Sequence, residues 1–281
     1  MPRPSPLLFV MTAFLLLTSL SVLVVAPSNM PESVVNTGED GLSMLYSEYN
    51  AAIILRYSEL ERLDPKNTIL VLTSVSPLDS NGLKYVADYL AKGGSVVMWV
   101  DNSTEEFPSL LNLTITVYNG TLLDEVSKHG TRFEPVVFSR PLNVSVVLEK
   151  PRPIESWGPG GECILRSSPF SYIDLNGNGF YDPGEPMDSF CVGVAFRYLN
   201  GTAFIIPSSN IFVNNLFSLN KDFLDEIRGG REVVIDQTAQ SRDLLEYLRL
   251  AASTRGYNSF ILVFLLGTLL AGGVFVVRQR F

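Results

Sequence analysis

Histidine is almost missing from this 281-residue chain, with His129 the sole example, and cysteine stops at two, Cys163 and Cys191. Each shortage removes a class of chemistry. A zinc site needs several His or Cys ligands, and the chain does not supply them. A serine or cysteine nucleophile normally takes its activation from a histidine base. The one triad available on paper joins Ser74 or Ser76 to His129 and Asp101, and His129 sits in "SKHGTR", the setting of an ordinary surface histidine. Basic residues are also short: 21 Lys and Arg face 29 Asp and Glu, a net charge of −8. Without a basic patch interleaved with aromatics, a nucleic-acid partner is excluded. No Gly-rich phosphate loop follows an apolar run, which excludes a nucleotide site.

Long apolar runs are present, one near each end. "LLFVMTAFLLLTSLSVLVVA" (Leu7 to Ala26) carries no charge and would be about 30 Å long as a helix, enough to cross a hydrocarbon core. "FILVFLLGTLLAGGVFVV" (Phe260 to Val277) is also uncharged and near the lower limit for a span. Arg3 precedes the first run, and Arg278 and Arg280 follow the second. The positive-inside rule then puts both termini in the cytoplasm and the bulk of the chain outside. The competing reading of the first run is a signal peptide cleaved after Ala26, against which Pro27 and the length of the run both count. Three segments are expected: a cytoplasmic tip with a transmembrane helix (1–26), an extracytoplasmic domain (27–257), and a second transmembrane helix with a cytoplasmic tail (258–281).

Two further patterns fit an exterior domain. N-x-[ST] acceptor sequences occur at Asn102, Asn112, Asn119, Asn143 and Asn200, all between the apolar runs, the pattern of an exported glycoprotein. In an oxidising compartment the pair Cys163 and Cys191 is expected to form a disulfide.

Inside the domain, the order of elements reads first as α/β. "SVVNTGEDGLSMLYSEY" runs from a short strand through a turn into a helix that Thr37 is placed to cap, with Asp40 three residues on. "AAIILRY" reads as a strand, "NTILVLTSV" as a buried strand, "DSNGLKYVADYLAKGG" as an amphipathic helix and "SVVMWVD" as the next buried strand. Such alternation implies a parallel sheet. From Phe133 onward strands dominate: "PVVFSR", "NVSVVLE", "CILRSSPFSYI", "CVGVAFRYL" and "GTAFIIPS", the last two meeting at Asn200-Gly201, a hairpin signal. A helix ("NNLFSLNKDFLDEIRGG"), a strand ("REVVIDQ") and a last helix ("SRDLLEYLRLAASTRG") follow.

The segments "NTGEDGLSMLY", "TILVLTSVSPLDSNGLKYVADYLAKGGSVVMWVD" and "GTAFIIPSSNIFVNNLFSLNKDFLDEI" together resemble a family of amidotransferase-like, flavodoxin-like domains. The family is found in archaeal and bacterial membrane proteins, often encoded near MoxR-type ATPases, and is related to the auxiliary domain of gliding-type ABC transporters. The resemblance implies a three-layer α/β domain with a mostly parallel sheet and a β-hairpin-rich excursion, flanked by the two transmembrane helices. It implies no activity: amidotransferases carry a cysteine nucleophile on the turn after a strand, and the matching "VLTSVSP" has only Ser74 and Ser76. Ligands of such sheets bind at the carboxyl ends of the strands, which here would present Glu39, Asp40, Tyr57, Ser58, Ser74, Ser76, Asp101 and Asn102.

The sharpest local motif is "DLNGNGFYDPGE", Asp174 to Glu185. It fits the twelve-residue calcium loop D-x-[DN]-x-[DN]-G-x5-E at each position. The ligands would be Asp174, Asn176, Asn178, the Phe180 carbonyl, Asp182 and Glu185, with Gly179 at the sharp turn. Only three of these carry charge, which predicts weak binding, in the ~10⁻⁴ to 10⁻³ M range of extracellular modules. "SSPFSYI" ahead of it looks extended, so the paired helices of an EF-hand are not expected, and the ion's role would be structural. The expectation is therefore a membrane-anchored, non-catalytic binding or assembly domain holding calcium, with a membrane protein as partner. The alternative is a membrane-anchored hydrolase acting on an exterior glycan or peptide.

Overall fold

The structure, a computed structural model, describes residue 12 and residues 26–73, 79–99 and 113–255. These divide into two compact units: Asn29–Ala239, and a second made of Met1–Ser28 with Gln240–Phe281.

In the larger unit, β1 (Ala52–Ile54), β2 (Thr68–Leu72) and β3 (Ser95–Trp99) come first, with helix α1 (Ser43–Tyr49) before them. Helix α2 (Ser80–Ala91) lies between β2 and β3. Every residue of β2 and β3 is buried, as expected of apolar runs without alternation. Successive side chains take opposite faces, so Leu70, Leu72, Val96 and Met98 pack with Leu83, Val86, Tyr89 and Leu90 of α2 in one core. Asp79 caps α2 by accepting from Gly82 N at 2.7 Å. Burial pushes the Tyr89 hydroxyl up to about 12.

The short strands β4 (Ile115–Val117), β5 (Thr121–Asp124), β6 (Val136–Ser139), β7 (Val144–Val147), β8 (Ile154–Trp157), β9 (Gly161–Arg166) and β10 (Ser171–Asp174) follow. The unit closes with β11 (Cys191–Tyr198), β12 (Gly201–Ile206), helix α3 (Asn214–Arg228) and β13 (Glu232–Asp236). The main sheet has 11 strands, in the order β1-β13-β2-β3-β12-β11-β9-β6-β7, with β8 paired to β11 and β4 to β8. The strands from β1 to β12 in this order pair in parallel. From β12 to β7 every pair is antiparallel. Strands β10 and β5 form a separate antiparallel ribbon.

This corrects the expected three-layer domain with a mostly parallel sheet: the sheet is mixed, and short strands outnumber helices. The reason lies in the connections. Parallel neighbours need a crossover of a dozen or more residues, whereas β6 and β7, or β11 and β12, are joined by tight turns. The expected flanking transmembrane helices are not confirmed either. Among the described residues no helix is long and apolar enough to cross a membrane. The runs 7–26 and 260–277 lie, apart from Thr12 and Ala26, outside those residues.

Two local readings also change. Thr37 does not cap α1, which starts at Ser43 with no side-chain cap of its own. Asn214 supplies that contact instead, its Oδ1 accepting from Met44 N at 2.9 Å and its Nδ2 donating to the Gly38 carbonyl at 2.6 Å. The hairpin at Asn200-Gly201 exists, but its loop is Leu199-Asn200, with Leu199 at φ 51°. Gly201 opens β12 against the backbone, where a Cβ would stand 2.3 Å from the Gly94 carbonyl oxygen and 2.4 Å from that of Leu90.

The smaller unit shows a 3-10 turn (Gln240–Arg242) and helix α4 (Leu244–Arg255). Asp243 accepts from Glu246 N at 2.9 Å, and the buried Glu246 pairs with Arg249 at 3.3 Å.

Gly201→Ala should lower stability by about 1–3 kcal/mol through overpacking against backbone that has no room to yield. A fall in the urea midpoint at constant slope would show it; an unchanged midpoint would contradict the close approach.

Candidate functional site

Two places draw polar groups together. The first is the carboxyl end of the parallel strands. Asp236, the last residue of β13, is fully buried; its Oδ2 accepts from the Tyr57 hydroxyl at 2.9 Å and its Oδ1 from Thr238 N at 2.8 Å. Glu32 is also buried, at φ 55°, and accepts from Trp99 Nε1 at 2.6 Å. Gln237 ties the two together. Its Nε2 donates to the Glu32 and Asp236 carbonyls at 2.8 and 2.9 Å, and its Oε1 accepts from Val34 N at 3.0 Å. Such bonds satisfy buried carboxylates whose desolvation would otherwise be costly.

Of the strand-end residues expected from sequence, Tyr57 is in this group and Ser58 is exposed nearby in the chain. Glu39 and Asp40 are exposed, and Asp40 Oδ1 accepts from Asn36 Nδ2 at 2.9 Å within its own loop. Ser74, Ser76, Asp101, Asn102 and Asn112 lie outside the described residues. His129 is exposed in the connection from β5 to β6. Sequence reasoning missed Glu32, Trp99, Asp236 and Gln237. The pair "DQ" after the apolar "VVI" was a usable signal, because two polar residues close a buried strand there. Glu32 gave none, lying in a polar stretch that reads as a linker.

The second place is the excursion between β9 and β11, where the predicted disulfide and loop lie. The Cys163–Cys191 bridge is present, with Cα atoms 6.0 Å apart, and joins the neighbouring strands β9 and β11. Within the closed segment, β10 pairs with β5 through Ser171↔Asp124 to Asp174↔Thr121. Asp124 anchors this ribbon. It is fully buried, and accepts from Val126 N, Ser127 N, Ser168 Oγ and Ser171 Oγ at 2.8, 2.7, 2.5 and 2.8 Å.

The loop at 174–185 folds tightly on itself. Asp174 accepts from Gly177 N and Gly179 N at 2.7 and 2.8 Å, and Glu185 from Leu175 N and Asp182 N at 2.9 and 3.0 Å. Gly179 takes φ 79° at the turn, a conformation that suits glycine. Asn176 and Asn178 both direct Nδ2 to Asp182 Oδ2, at 2.7 and 2.6 Å, while their Oδ1 atoms accept from Asn178 N and Phe180 N. Phe180 is exposed, and its ring lies 4.6 Å below the Arg132 guanidinium. Arg132 also donates to the Gly179 carbonyl at 2.7 Å and pairs with Glu125 at 2.8 Å. Burial raises the pKa of Tyr172, whose hydroxyl donates to the same carbonyl at 3.3 Å.

These contacts correct one expectation. Among the described residues no group of three or more His, Cys, Asp or Glu is gathered that could hold a metal ion. The loop carboxylates are instead drawn to main-chain amides and to the two asparagine side chains, so the calcium-binding group is not preformed as an acidic cluster.

Large apolar side chains are exposed on this excursion: of the thirteen such residues among the described ones, Phe170, Leu175, Phe180, Tyr181 and Met187 lie in it, and Val126, Phe133 and Phe138 lie between β5 and the end of β6. The ribbon and loop are tied to one another: the Phe133 ring stands against Gly179, 3.3 Å from where a Cβ would be, Tyr181 meets the buried Tyr172 edge-on at 5.6 Å, and the backbones of Tyr172 and Met187 form an antiparallel bridge.

No family model matches this chain, and no curated protein matches it. Solved structures give weak likenesses. The mmIFT52 N-terminal domain aligns over 61% of this chain and 78% of its own length, at 12% identity and a TM-score of 0.44. An exo-β-1,4-mannosidase from Opitutaceae bacterium strain TAV5 covers 60% of this chain at 9% identity, with a TM-score of 0.32. A β-galactosidase from Bacillus circulans sp. alkalophilus covers 63% at 13% identity, with a TM-score of 0.35. The chain spans only 24% and 28% of those two glycosidases. Likeness at this level carries no argument about what the chain does.

Trp99→Phe and Tyr57→Phe each remove one donor from a buried carboxylate and should each destabilise by about 1–3 kcal/mol. Chemical denaturation of the two variants would show it. Wild-type stability in both would mean that this network does not hold the strand ends together.

Proposed function

We propose that this chain is an extracytoplasmic binding or assembly domain, non-catalytic, whose docking surface is the apolar face of the disulfide-closed excursion. One observation carries the reading: five of the thirteen exposed large apolar side chains among the described residues, Phe170, Leu175, Phe180, Tyr181 and Met187, lie in the one short segment that the disulfide closes. Exposed apolar side chains concentrated in one segment mark an interaction site. The disulfide supports an oxidising compartment. The partner is a protein with a complementary apolar face, and the family resemblance suggests a subunit of a transporter or of a MoxR-ATPase-linked complex.

Calcium belongs to this proposal as a staple of the docking surface. Asp174, Asn176, Asn178, the Phe180 carbonyl, Asp182 and Glu185 would hold it. The Asp174 and Glu185 oxygens accept one amide N–H each and retain a second lone pair, whereas Asp182 Oδ2 accepts from both asparagine side chains, so an ion would take the other Asp182 oxygen or displace those two amides. Once bound, the ion supplies positive charge that fixes the loop; it does no chemistry on a substrate.

The function is tested on the full chain purified from its own cells. A stoichiometric protein partner should co-purify with the wild type and be lost from the double variant Phe170→Ser, Met187→Ser. A partner-free wild type, or labelling by a broad serine-reactive probe that disappears in Ser74→Ala or Ser76→Ala, would overturn the reading in favour of the hydrolase. For calcium, saturation at ten times Kd should add about 1.4 kcal/mol of stability. A melting temperature identical in millimolar calcium and in chelator would contradict the staple.

A further inference from the structure

The last strand of the main sheet, β7, leaves an edge whose hydrogen-bonding groups must be managed. In an antiparallel pair, successive residues turn their N–H and C=O groups alternately toward the partner and away from it. Leu148 N donates to the Pro135 carbonyl at 3.2 Å, on the β6 side. Positions 145, 147 and 149 therefore face outward. Two of these are closed from within the fold. The buried Asn220 accepts from Val147 N and donates to the Val147 carbonyl, both at 2.8 Å, and holds itself in place by donating to the Ile211 carbonyl at 2.6 Å. Its carboxamide thus imitates a neighbouring strand. Glu149 N donates to the Asn210 carbonyl at 3.4 Å, while Asn210 Nδ2 donates to the Glu149 carboxylate at 2.7 Å.

Ser145 is the remaining outward position, and it has no such cover among the described residues. It is also the third residue of the acceptor sequence Asn143-Val144-Ser145. Asn143, two positions earlier, ends the β6–β7 turn immediately before β7. Asn143 is exposed at φ 56°, a left-handed conformation that asparagine tolerates. Its side chain makes no hydrogen bond with the described residues. Asn200 differs, for its Nδ2 already donates to the Ala91 carbonyl at 2.9 Å.

We infer that Asn143 carries an N-linked glycan that covers the open end of the β7 edge and blocks pairing with a second chain. An open strand edge is a template for association, and a bulky polar substituent beside its one uncovered position removes that template. The donor is a lipid-linked oligosaccharide. The Asn143 Nδ2 forms a bond to the anomeric carbon, the bond from that carbon to the polyprenyl phosphate oxygen breaks, and the phosphate leaves with the electron pair. The amide proton passes to a base of the transferase. The inference rests on the exterior placement proposed above.

The test uses full-length protein from its own cells. Glycopeptide mass spectrometry should find Asn143 occupied in the wild type and in Ser145→Thr, and bare in Ser145→Ala, which keeps Asn143 and its backbone. Light scattering at matched concentration, with any co-purifying partner counted separately, should give one copy of this chain per particle for the first two and two or more copies for Ser145→Ala. A bare Asn143 beside glycans on other acceptors would overturn the inference and leave the exterior placement standing. Bare asparagines at all five acceptors, Asn102, Asn112, Asn119, Asn143 and Asn200, would bring down both. A Ser145→Ala chain that is unglycosylated yet monomeric would overturn the edge role.

Discussion

The bond between Cys163 and Cys191 is the constraint on which the distinctive half of this molecule depends. It joins β9 to β11 where their register shifts at an irregularity, and it closes the segment that leaves the sheet, builds β10 and the 174–185 loop, and returns. That segment contributes few residues to the main core. Its order comes from β10 pairing with β5, from the hydrogen bonds that converge on Asp124, and from covalent closure. Closing a loop of this size restricts the unfolded chain by roughly 2–4 kcal/mol, a large share of the net stability of a domain. An excursion so held can present aromatic side chains to solvent without burying them in a core of its own.

The parallel strands supply the rigid counterpart. β2 and β3 are buried on both faces, and α2 covers one of them with Leu83, Val86 and Leu90. Buried carboxylates at the strand ends, Asp236 and Glu32, are bonded to Tyr57, Trp99 and the Gln237 bridge. From β12 onward the sheet turns antiparallel and extends toward β7, where Asn220 and Asn210 close most of the outer edge. One sheet therefore joins a parallel half to an antiparallel half, and the candidate docking surface lies on the excursion that leaves the second between β9 and β11.

How much of this could be read from the amino acids depended on whether the deciding interaction was local. The elements of the parallel half were legible, because runs such as "TILVL" and "SVVMW" and the amphipathic helix between them carry their own periodicity. The hairpin between β11 and β12 was legible from Asn200-Gly201, although its loop is Leu199-Asn200 and the role of Gly201 in close backbone approach was not legible. The cysteine pair was readable from its count and from the expected compartment. The mixed sheet was not, since strand order is decided by contacts between distant segments and by which connections are too short to cross over. β4, β5 and β8 have few residues and weak patterns. Asn214 capping α1 and Asn220 imitating a strand act across more than 70 positions of sequence, where no local motif points. The calcium motif was legible as a pattern, but the way its carboxylates turn to main-chain amides emerges only from the folded loop.

The central claim, an exterior domain whose binding surface is held by a disulfide, is tested most directly by trapping thiols in intact cells before lysis. Alkylation of the living culture with a membrane-permeant reagent, followed by mass spectrometry of the Cys163 and Cys191 peptides, reads the state of the pair where the protein works. The account predicts that neither cysteine is alkylated until a reductant is added after denaturation. Full alkylation of both in the untreated cells would place the chain in a reducing compartment and contradict it.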